Sequence, residues 1–175
     1  MLNAEPGRIS GNVVNERKGS YRIDFEVQGV AAHAGVNPQQ GASAIAALAH
    51  KVLALHALTE AQPGLHLNVG FIEGGMASNV VAPLAKAHLD IRYTAENNLE
   101  HALEQVRAVI EAEHLPRTQG RITAMTGTLP MARTPDALLQ AYRRSAAQVG
   151  FEVDGEFTGG AADSGITSSM GCLLY

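Results

Sequence analysis

His33 is the side chain in this sequence best suited to do chemistry, because most of its neighbours are small. The surrounding stretch, between an alternating segment and a helical one, is Gly29-Val30-Ala31-Ala32-His33-Ala34-Gly35-Val36-Asn37-Pro38. Small neighbours let a ligand or another backbone approach closely, and an imidazole can exchange a proton near neutral pH. A histidine in such a loop can also do no more than fill or cap it. The stretch alone leaves both interpretations open.

Three other features could contribute to a site. Asn79 follows Gly74-Gly75 and carries an amide that both donates and accepts hydrogen bonds. Arg92 has a guanidinium that suits a carboxylate, although an arginine on a polar strand face is usually a solvated charge. The pair Gly159-Gly160 matches neither a P-loop nor a dinucleotide fingerprint, so it does not predict phosphate binding.

The sequence has no compact metal or nucleophile motif. Its seven histidines form no His-x-x-x-His pair, and the single cysteine, Cys172, excludes an intrachain disulfide and a cysteine-rich zinc site. Ser164 lacks the nucleophile-elbow pattern. Four histidines are predicted on helices and facing solvent, and two on polar strand faces; these are His50, His56, His101 and His114, and His66 and His88.

Composition excludes several classes of function. Of 175 residues, 46% are hydrophobic and 17% charged, which is typical of a soluble globular protein. A net charge of −4 argues against nucleic acid or an anionic membrane as partner, since both need a basic face. No run approaches the roughly 18 apolar residues of a membrane-spanning helix. The compartment stays open, with the cytoplasm favoured.

Segments that alternate with a period of two predict half-buried strands. Three apolar faces are clear, and a weaker fourth segment covers 121–126; the faces are Tyr21-Ile23-Phe25-Val27, Leu65-Leu67-Val69-Phe71 and Ala85-Ala87-Leu89-Ile91-Tyr93. A short strand is also predicted within 9–14, followed by a charged turn at 16–19.

Two segments have helical periodicity. Asn37 as cap and Pro38 as first residue predict a helix to about Leu58. Its predicted apolar stripe is Ile45, Leu48, Ala49, Val52 and Leu55; the second helix, which ends before Pro116, shows Leu99, Leu103, Val106 and Ile110. The order β-α-β-β-α-β over 20–127 predicts an α/β (α+β) ferredoxin-like fold, with an antiparallel four-stranded sheet and both helices on one face. A third helix at about 136–149 and a glycine-rich turn at 158–164 follow.

Together these segments resemble the zinc-dependent metallopeptidase family of glutamate carboxypeptidase, acetylornithine deacetylase and succinyl-diaminopimelate desuccinylase. The matching pieces occur in the family's order: Ala4-Glu5-Pro6-Gly7, Gly29 to Gly41, Gly74 to Val81, Asp90-Ile91-Arg92-Tyr93, and Thr158-Gly159-Gly160 with Asp163. The segments 5–7 and 17–19 are most similar to the glutamate-carboxypeptidase-like branch.

The resemblance implies a two-domain hydrolase. Residues 20–127 would form a lid or dimerisation domain, and 1–19 and 128–175 would be pieces of a catalytic domain with two zinc ions, one of them bound by Glu5. The substrate would be an N-acyl amino acid or a dipeptide-like amide. His33 would enter the active site of the other subunit of a homodimer and stabilise the oxyanion. The positions matching Asn79, Arg92 and Gly160 would surround the substrate.

Other parts of the family pattern do not occur in these residues. The His-x-Asp motif, the bridging Asp and the Glu-Glu pair would precede Met1, and the last zinc-binding His would follow Tyr175. We therefore expect a fragment that binds no zinc and is inactive alone. Members of the family often have an arginine near the start of the returning catalytic segment, where it holds the substrate carboxylate. In this sequence the first arginine there is Arg133, which comes later than in that pattern. The alternative is a stand-alone ferredoxin-like module for dimerisation or small-ligand binding, since that fold hosts many functions.

Overall fold

The computed structural model describes residues 8–61, 63–94, 96–133 and 136–171. The elements in these residues are β1 (Val13–Arg17), β2 (Gly19–Gln28), α1 (Ala44–Ala61), β3 (His66–Gly74), β4 (Leu84–Tyr93), α2 (Glu96–Glu111), β5 (Gln119–Thr128), α3 (Asp136–Gln148), β6 (Gly155–Thr158) and α4 (Ser164–Ser169), with a 3₁₀ turn at Pro38–Gln40. Tyr21–Ile91 and Asn97–Thr126 form one compact unit, and the described residues of 1–20, 92–96 and 127–175 form a second. No described helix is long and apolar enough to cross a bilayer.

The first unit has the predicted ferredoxin-like topology. Its four-stranded antiparallel sheet has the order β3-β4-β2-β5, so β4 lies between the two strands that α1 connects. The second helix, α2, connects β4 to β5. The β-α-β-β-α-β order predicted from periodicity is confirmed.

The core of this unit lies on one face of the sheet. Side chains alternate between buried and more exposed along β2 and β4, as their period-two patterns predict. Burial of each large apolar side chain contributes about 1.5–3 kcal/mol. The buried residues of this core include Ile23, Phe25, Val27, Ala85, Leu89 and Ile91 from the sheet, and Leu48, Leu55, Ala102, Val106 and Ile110 from the helices.

The predicted start of the first helix is wrong. Pro38 opens only the 3₁₀ turn, Gly41 is extended, and α1 begins at Ala44. The chain cannot stay helical through Ala42 because that residue pairs by its backbone with Val30. The hydroxyl of Ser43 then accepts a hydrogen bond from the amide of Ala46, at 3.2 Å, which satisfies one of the free amides at the helix start.

The buried face of α1 differs from the predicted apolar stripe. Two members of the predicted stripe, Ile45 and Ala49, are exposed. The buried face of α1 is formed by Ala44, Ala47, Leu48, Lys51 and Leu55.

The apolar face predicted for residues 65–71, which contribute to β3, is confirmed only in part. Leu65 and Leu67 are buried, but Phe71 is 47% exposed and its ring stacks on that of His88, with centroids 4.8 Å apart. Because His88 belongs to the polar face with Asp24, Phe71 covers that face instead of the core. An edge strand, paired on one side only, has room for such a departure from alternation.

The predicted charged turn at 16–19 is also wrong. Arg17 ends β1 and Gly19 begins β2, so the strand predicted within 9–14 lies later than expected. Arg17 is buried, and it exchanges backbone hydrogen bonds with Met131 at 3.0 and 3.1 Å. A side chain at Gly19 would meet the ring of Tyr93, so glycine permits this close approach. These contacts belong to the second unit.

The second unit is built on β1, which pairs in parallel with β6. The predicted third helix is confirmed as α3, whereas β6 and α4 were not predicted. Glu5 and Cys172 lie outside the described residues.

Lys51 is a core residue that hydrophobic patterning does not predict. Its side chain is fully buried, and Nζ donates hydrogen bonds to the carbonyls of Val109, at 3.3 Å, and Ala112, at 2.6 Å. Nζ also lies 3.2 Å from Nδ1 of His114, which the structure places in the turn after α2 and not on a helix. Burial lowers the pKa of Lys51. Lys51 thus joins α1 to the carboxyl end of α2, where a cation is favourable.

We predict that Lys51→Met lowers the free energy of unfolding by about 1–3 kcal/mol, because the carbonyls of Val109 and Ala112 lose their donor. Lys86 is a matched control, since its side chain is 48% exposed and pairs with Glu73. Lys86→Met should change stability by no more than about 0.5 kcal/mol. Urea unfolding of both variants measures the difference, and equal values would contradict the assigned role of Lys51.

Candidate functional site

The site is built on a compact loop, residues 29–42, which we call the His33 loop. Its ends meet at Val30 and Ala42, whose backbones exchange two hydrogen bonds of 2.9 Å. A Cβ at Gly29 would overlap the carbonyl oxygen of Ala42. Glycine is therefore required where β2 leads into the loop.

The His33 loop is joined by its backbone to the segment that carries Asn79. The amide of Ala34 donates to the carbonyl of Asn79, and the amide of Val81 donates to that of Ala32, both at 2.9 Å. His33 and Val80 form an antiparallel bridge between these two bonds. Two of the predicted site residues, His33 and Asn79, are thereby brought together, and both are exposed.

One ring nitrogen of His33 already has a partner. The amide of Gly35 donates a hydrogen bond to Nδ1 at 3.1 Å. A nitrogen that accepts a hydrogen bond carries no proton, so the proton of the neutral imidazole is assigned to Nε2. The loop therefore holds His33 in the tautomer whose Nε2–H can donate to a ligand oxygen.

Asn37 holds the backbone of His33 and does not cap a helix. The side-chain Oδ1 of Asn37 accepts a hydrogen bond from the backbone amide of His33 at 3.2 Å, and the backbone amide of Asn37 donates to the carbonyl of His33 at 3.1 Å. Its Nδ2 donates to Oε1 of Gln40 at 2.6 Å. The sequence identified Asn37 as special, but an asparagine before a proline is equally typical of a helix start.

The remaining predicted site residues lie in the second unit or outside the described residues. Arg92 is half-buried near the end of β4. Gly160 follows β6, where its carbonyl accepts a hydrogen bond from Nη1 of Arg17 at 3.4 Å and its amide donates to Oγ1 of Thr158 at 3.4 Å. Glu5, the predicted metal ligand, is not among the described residues.

The described residues do not form a zinc site. Among them, no group of three or more His, Cys, Asp and Glu side chains is arranged to hold a metal ion. Within the loop, the described hydrogen bonds of His33 join it to the backbone amides of Gly35, Val36 and Asn37 and to Oδ1 of Asn37. The arrangement around His33 is thus a hydrogen-bond donor on a braced loop.

Comparison with known proteins identifies the family. The sequence profile of the M20 peptidase dimerisation domain matches residues 15–118. This chain belongs to that family. The matched region contains the ferredoxin-like unit from β2 to α2, together with the whole His33 loop. The resemblance drawn from the sequence is confirmed at this level.

Two of the relatives carry the names of hydrolases. A Haemophilus influenzae protein, named as a homolog of p-aminobenzoyl-glutamate hydrolase, is 34% identical over 89 residues, 50% of this chain and 21% of that protein. Indole-3-acetyl-aspartic acid hydrolase of Enterobacter agglomerans is 36% identical over 90 residues, 51% of this chain and 21% of that protein. Both alignments therefore span about a fifth of the relative's length.

The crystal structure of a tripeptidase from Staphylococcus aureus has the same fold. Its TM-score is 0.86 at 21% identity, and the match covers 99% of this chain and 46% of that chain. The structural similarity therefore includes the second unit as well as the M20 dimerisation domain.

We predict that Gly29→Ala opens the His33 loop, because the new Cβ would displace the carbonyl of Ala42. Amide hydrogen exchange should become faster at Val30 and Ala42, whose bonds close the loop. Gly35→Ala is the matched control, because its Cβ would meet only the His33 ring at an ordinary 3.7 Å. Comparable exchange in both variants would show that the space at Gly29 does not matter.

Proposed function

We propose that this chain is part of a dizinc hydrolase that cleaves the amide bond of an N-acyl amino acid or a dipeptide-like substrate. Residues 20–127 would be its dimerisation lid, with 1–19 and 128–175 as pieces of the catalytic domain. The compact unit of Tyr21–Ile91 and Asn97–Thr126 supports this division. The names of the two relatives support the substrate class, because each contains the name of an acyl group joined to glutamate or aspartate.

The observation that carries the proposal is the hydrogen bond from the amide of Gly35 to Nδ1 of His33, which assigns the ring proton to Nε2. With Nδ1 occupied by the amide of Gly35, Nε2–H is free to donate to the substrate carbonyl oxygen. That bond strengthens as the oxygen gains negative charge, so it stabilises the transition state more than the substrate. In the proposed homodimer, His33 performs this role in the active site of the other subunit.

The other predicted site residues would recognise the substrate. Asn79, adjacent to the His33 loop, offers an amide for a carbonyl or carboxylate. Arg92 has the planar donors that suit the carboxylate of an amino acid. Gly160 would leave space for the substrate beside the backbone.

Zinc remains part of the proposal for the intact enzyme. We propose Glu5 as one ligand; the others, with the general base, would belong to the rest of the catalytic domain. Zinc would supply the activation of water and the polarisation of the amide carbonyl. This chain alone should then neither bind zinc nor hydrolyse N-acyl-glutamate substrates.

The dimer is proposed to form along β3 and α1. β3 lies at one edge of the sheet, and a strand edge can add a strand from a second copy across a two-fold axis. Two of its apolar side chains, Phe71 and Ile72, are 47% and 51% exposed, and Leu53 of α1 is 73% exposed. Exposed apolar side chains along a sheet edge and its neighbouring helix are typical of a protein–protein interface.

We predict a dimeric mass for this chain in light scattering, and a shift toward monomer in Ile72→Lys, because a buried charge would oppose association. Ala124→Lys, on the other edge strand, β5, is the control and should remain dimeric. A monomeric wild type at high concentration would contradict the proposed dimer. Equal dimerisation of both variants would contradict the proposed edge.

The action of His33 in trans can be tested by complementation in the full-length parent. His33→Ala should lower kcat by about 10²–10³-fold, the usual cost of one oxyanion donor. Glu5→Ala should remove metal from its own subunit. When the two variants are mixed in equal amounts, half of the dimers contain one subunit of each. In these dimers the metal site of the His33→Ala subunit meets the intact His33 of the other subunit, so one of the two sites is active. The mixture should therefore recover about a quarter of the active sites of the wild type. An inactive mixture containing verified heterodimers would show that His33 does not act in trans.

A stand-alone dimerisation or small-ligand module is the second candidate. The compactness of the first unit favours it, because that unit contains its own core. It does not explain the structural similarity of the flanks to the tripeptidase, which covers 99% of this chain. Stoichiometric zinc with turnover in this chain alone would contradict the expectation that it is an inactive part of a larger enzyme.

A further inference from the structure

Arg117 has an unusual backbone conformation for a residue with a side chain. Its φ is 62°, in the left-handed region. It is the third residue of a turn in which the amide of Thr118 donates to the carbonyl of Leu115 at 3.2 Å, with Pro116 second. This is the pattern of a type II turn, whose third position favours glycine or asparagine. A non-glycine residue here costs about 1–2 kcal/mol.

The side chain of Arg117 compensates for this cost by binding the His33 loop. Nη1 donates to the carbonyl of Gln40 at 2.9 Å, while Nη2 donates to those of Gln39, at 3.2 Å, and Gly41, at 2.6 Å. The amide of Arg117 donates to Oε1 of Glu113 at 2.8 Å, which fixes the turn itself. Hydrogen bonds from a guanidinium are stronger than those between neutral groups.

These contacts continue to His33 through the loop. Gln40, held by its carbonyl, accepts a hydrogen bond at Oε1 from Asn37, and Asn37 in turn accepts one from the amide of His33. Gly41 also lies close to Val81, so the second half of the loop is fixed between Arg117 and the segment of Asn79. We infer that Arg117 is a positioning residue that keeps His33 in its donor orientation.

The alternative is that Arg117 only stabilises the turn between α2 and β5. The two roles separate because each side-chain hydrogen bond that the described residues give Arg117 ends on the His33 loop. Glycine at this position would relieve the backbone and remove the loop contacts at the same time. A role limited to the turn predicts that glycine leaves the loop unchanged.

The test compares Arg117→Gly, Arg117→Ala and Arg117→Lys with a control, Arg107→Ala, which breaks an exposed ion pair with Glu111 on α2. Amide exchange at Asn37, Gly41 and Ala42 should become at least about tenfold faster in the glycine and alanine variants, as expected for the loss of about 1.4 kcal/mol of local stabilisation. Lysine should restore part of the protection, because it keeps a cationic donor. The control should leave exchange unchanged.

The tautomer of His33 separates the positioning role from a purely structural one, and the thermal midpoint checks the backbone strain at Arg117. The ¹⁵N shifts of the His33 ring should report a mixture of tautomers in Arg117→Gly and the Nε2–H form in the wild type. The thermal midpoint of Arg117→Gly should remain above that of Arg117→Ala, because only glycine relieves the left-handed backbone. Unchanged loop exchange and an unchanged tautomer in Arg117→Gly would overturn the inference.

The kinetic consequence rests on the proposed function of His33. In the full-length parent, Arg117→Gly should lower kcat by about tenfold to a hundredfold with a smaller change in KM, because the donor is misplaced. If His33→Ala leaves kcat unchanged while Arg117→Gly still frees the loop, the proposed function fails and the positioning role stands. If His33→Ala lowers kcat but Arg117→Gly changes neither loop nor kcat, the positioning role fails alone.

Discussion

The two hydrogen bonds between Val30 and Ala42 are the constraint on which the candidate site depends. They close the His33 loop at its base, and they form only because Gly29 has no side chain to displace the carbonyl of Ala42. The same pairing ends the extended segment before α1 and so sets where the helix begins. Closing the loop brings His33 beside Asn79 and aligns the amide of Gly35 with Nδ1 of the imidazole. A backbone contact thereby determines which nitrogen of His33 can donate.

Periodicity was sufficient to predict the ferredoxin-like unit. Strands β2 and β4 alternate because one face is buried, and Val106 and Ile110 repeat because α2 lies on that face. Periodicity fails where one residue departs from its type. Lys51 is buried because its amine meets carbonyls at the end of α2, and Phe71 turns to the polar face on an unpaired edge. No local pattern encodes either partner.

The sequence predicted where in the chain the candidate site lies, but not the hydrogen bonds that hold its residues in place. The small residues around His33 indicated a close approach, and the order of the segments indicated the M20 family, which the match to residues 15–118 confirms. The contact from Arg117 to Gln40 joins residues 77 positions apart, so no spacing rule reveals it. Asn37 shows the opposite difficulty, since its sequence context predicted a cap that the pairing of Ala42 prevents.

The chain spans 46% of the tripeptidase with the same fold. The chemistry proposed for it depends on a second copy and on the rest of a catalytic domain. A crystal structure of the full-length dimer with a non-hydrolysable N-acyl-glutamate analogue tests the central claim most directly. The account predicts Nε2 of His33 at hydrogen-bond distance from the amide carbonyl oxygen bound in the other subunit, with Nδ1 still accepting from Gly35. A ligand contacted by no His33, or by His33 only within its own subunit, would contradict it.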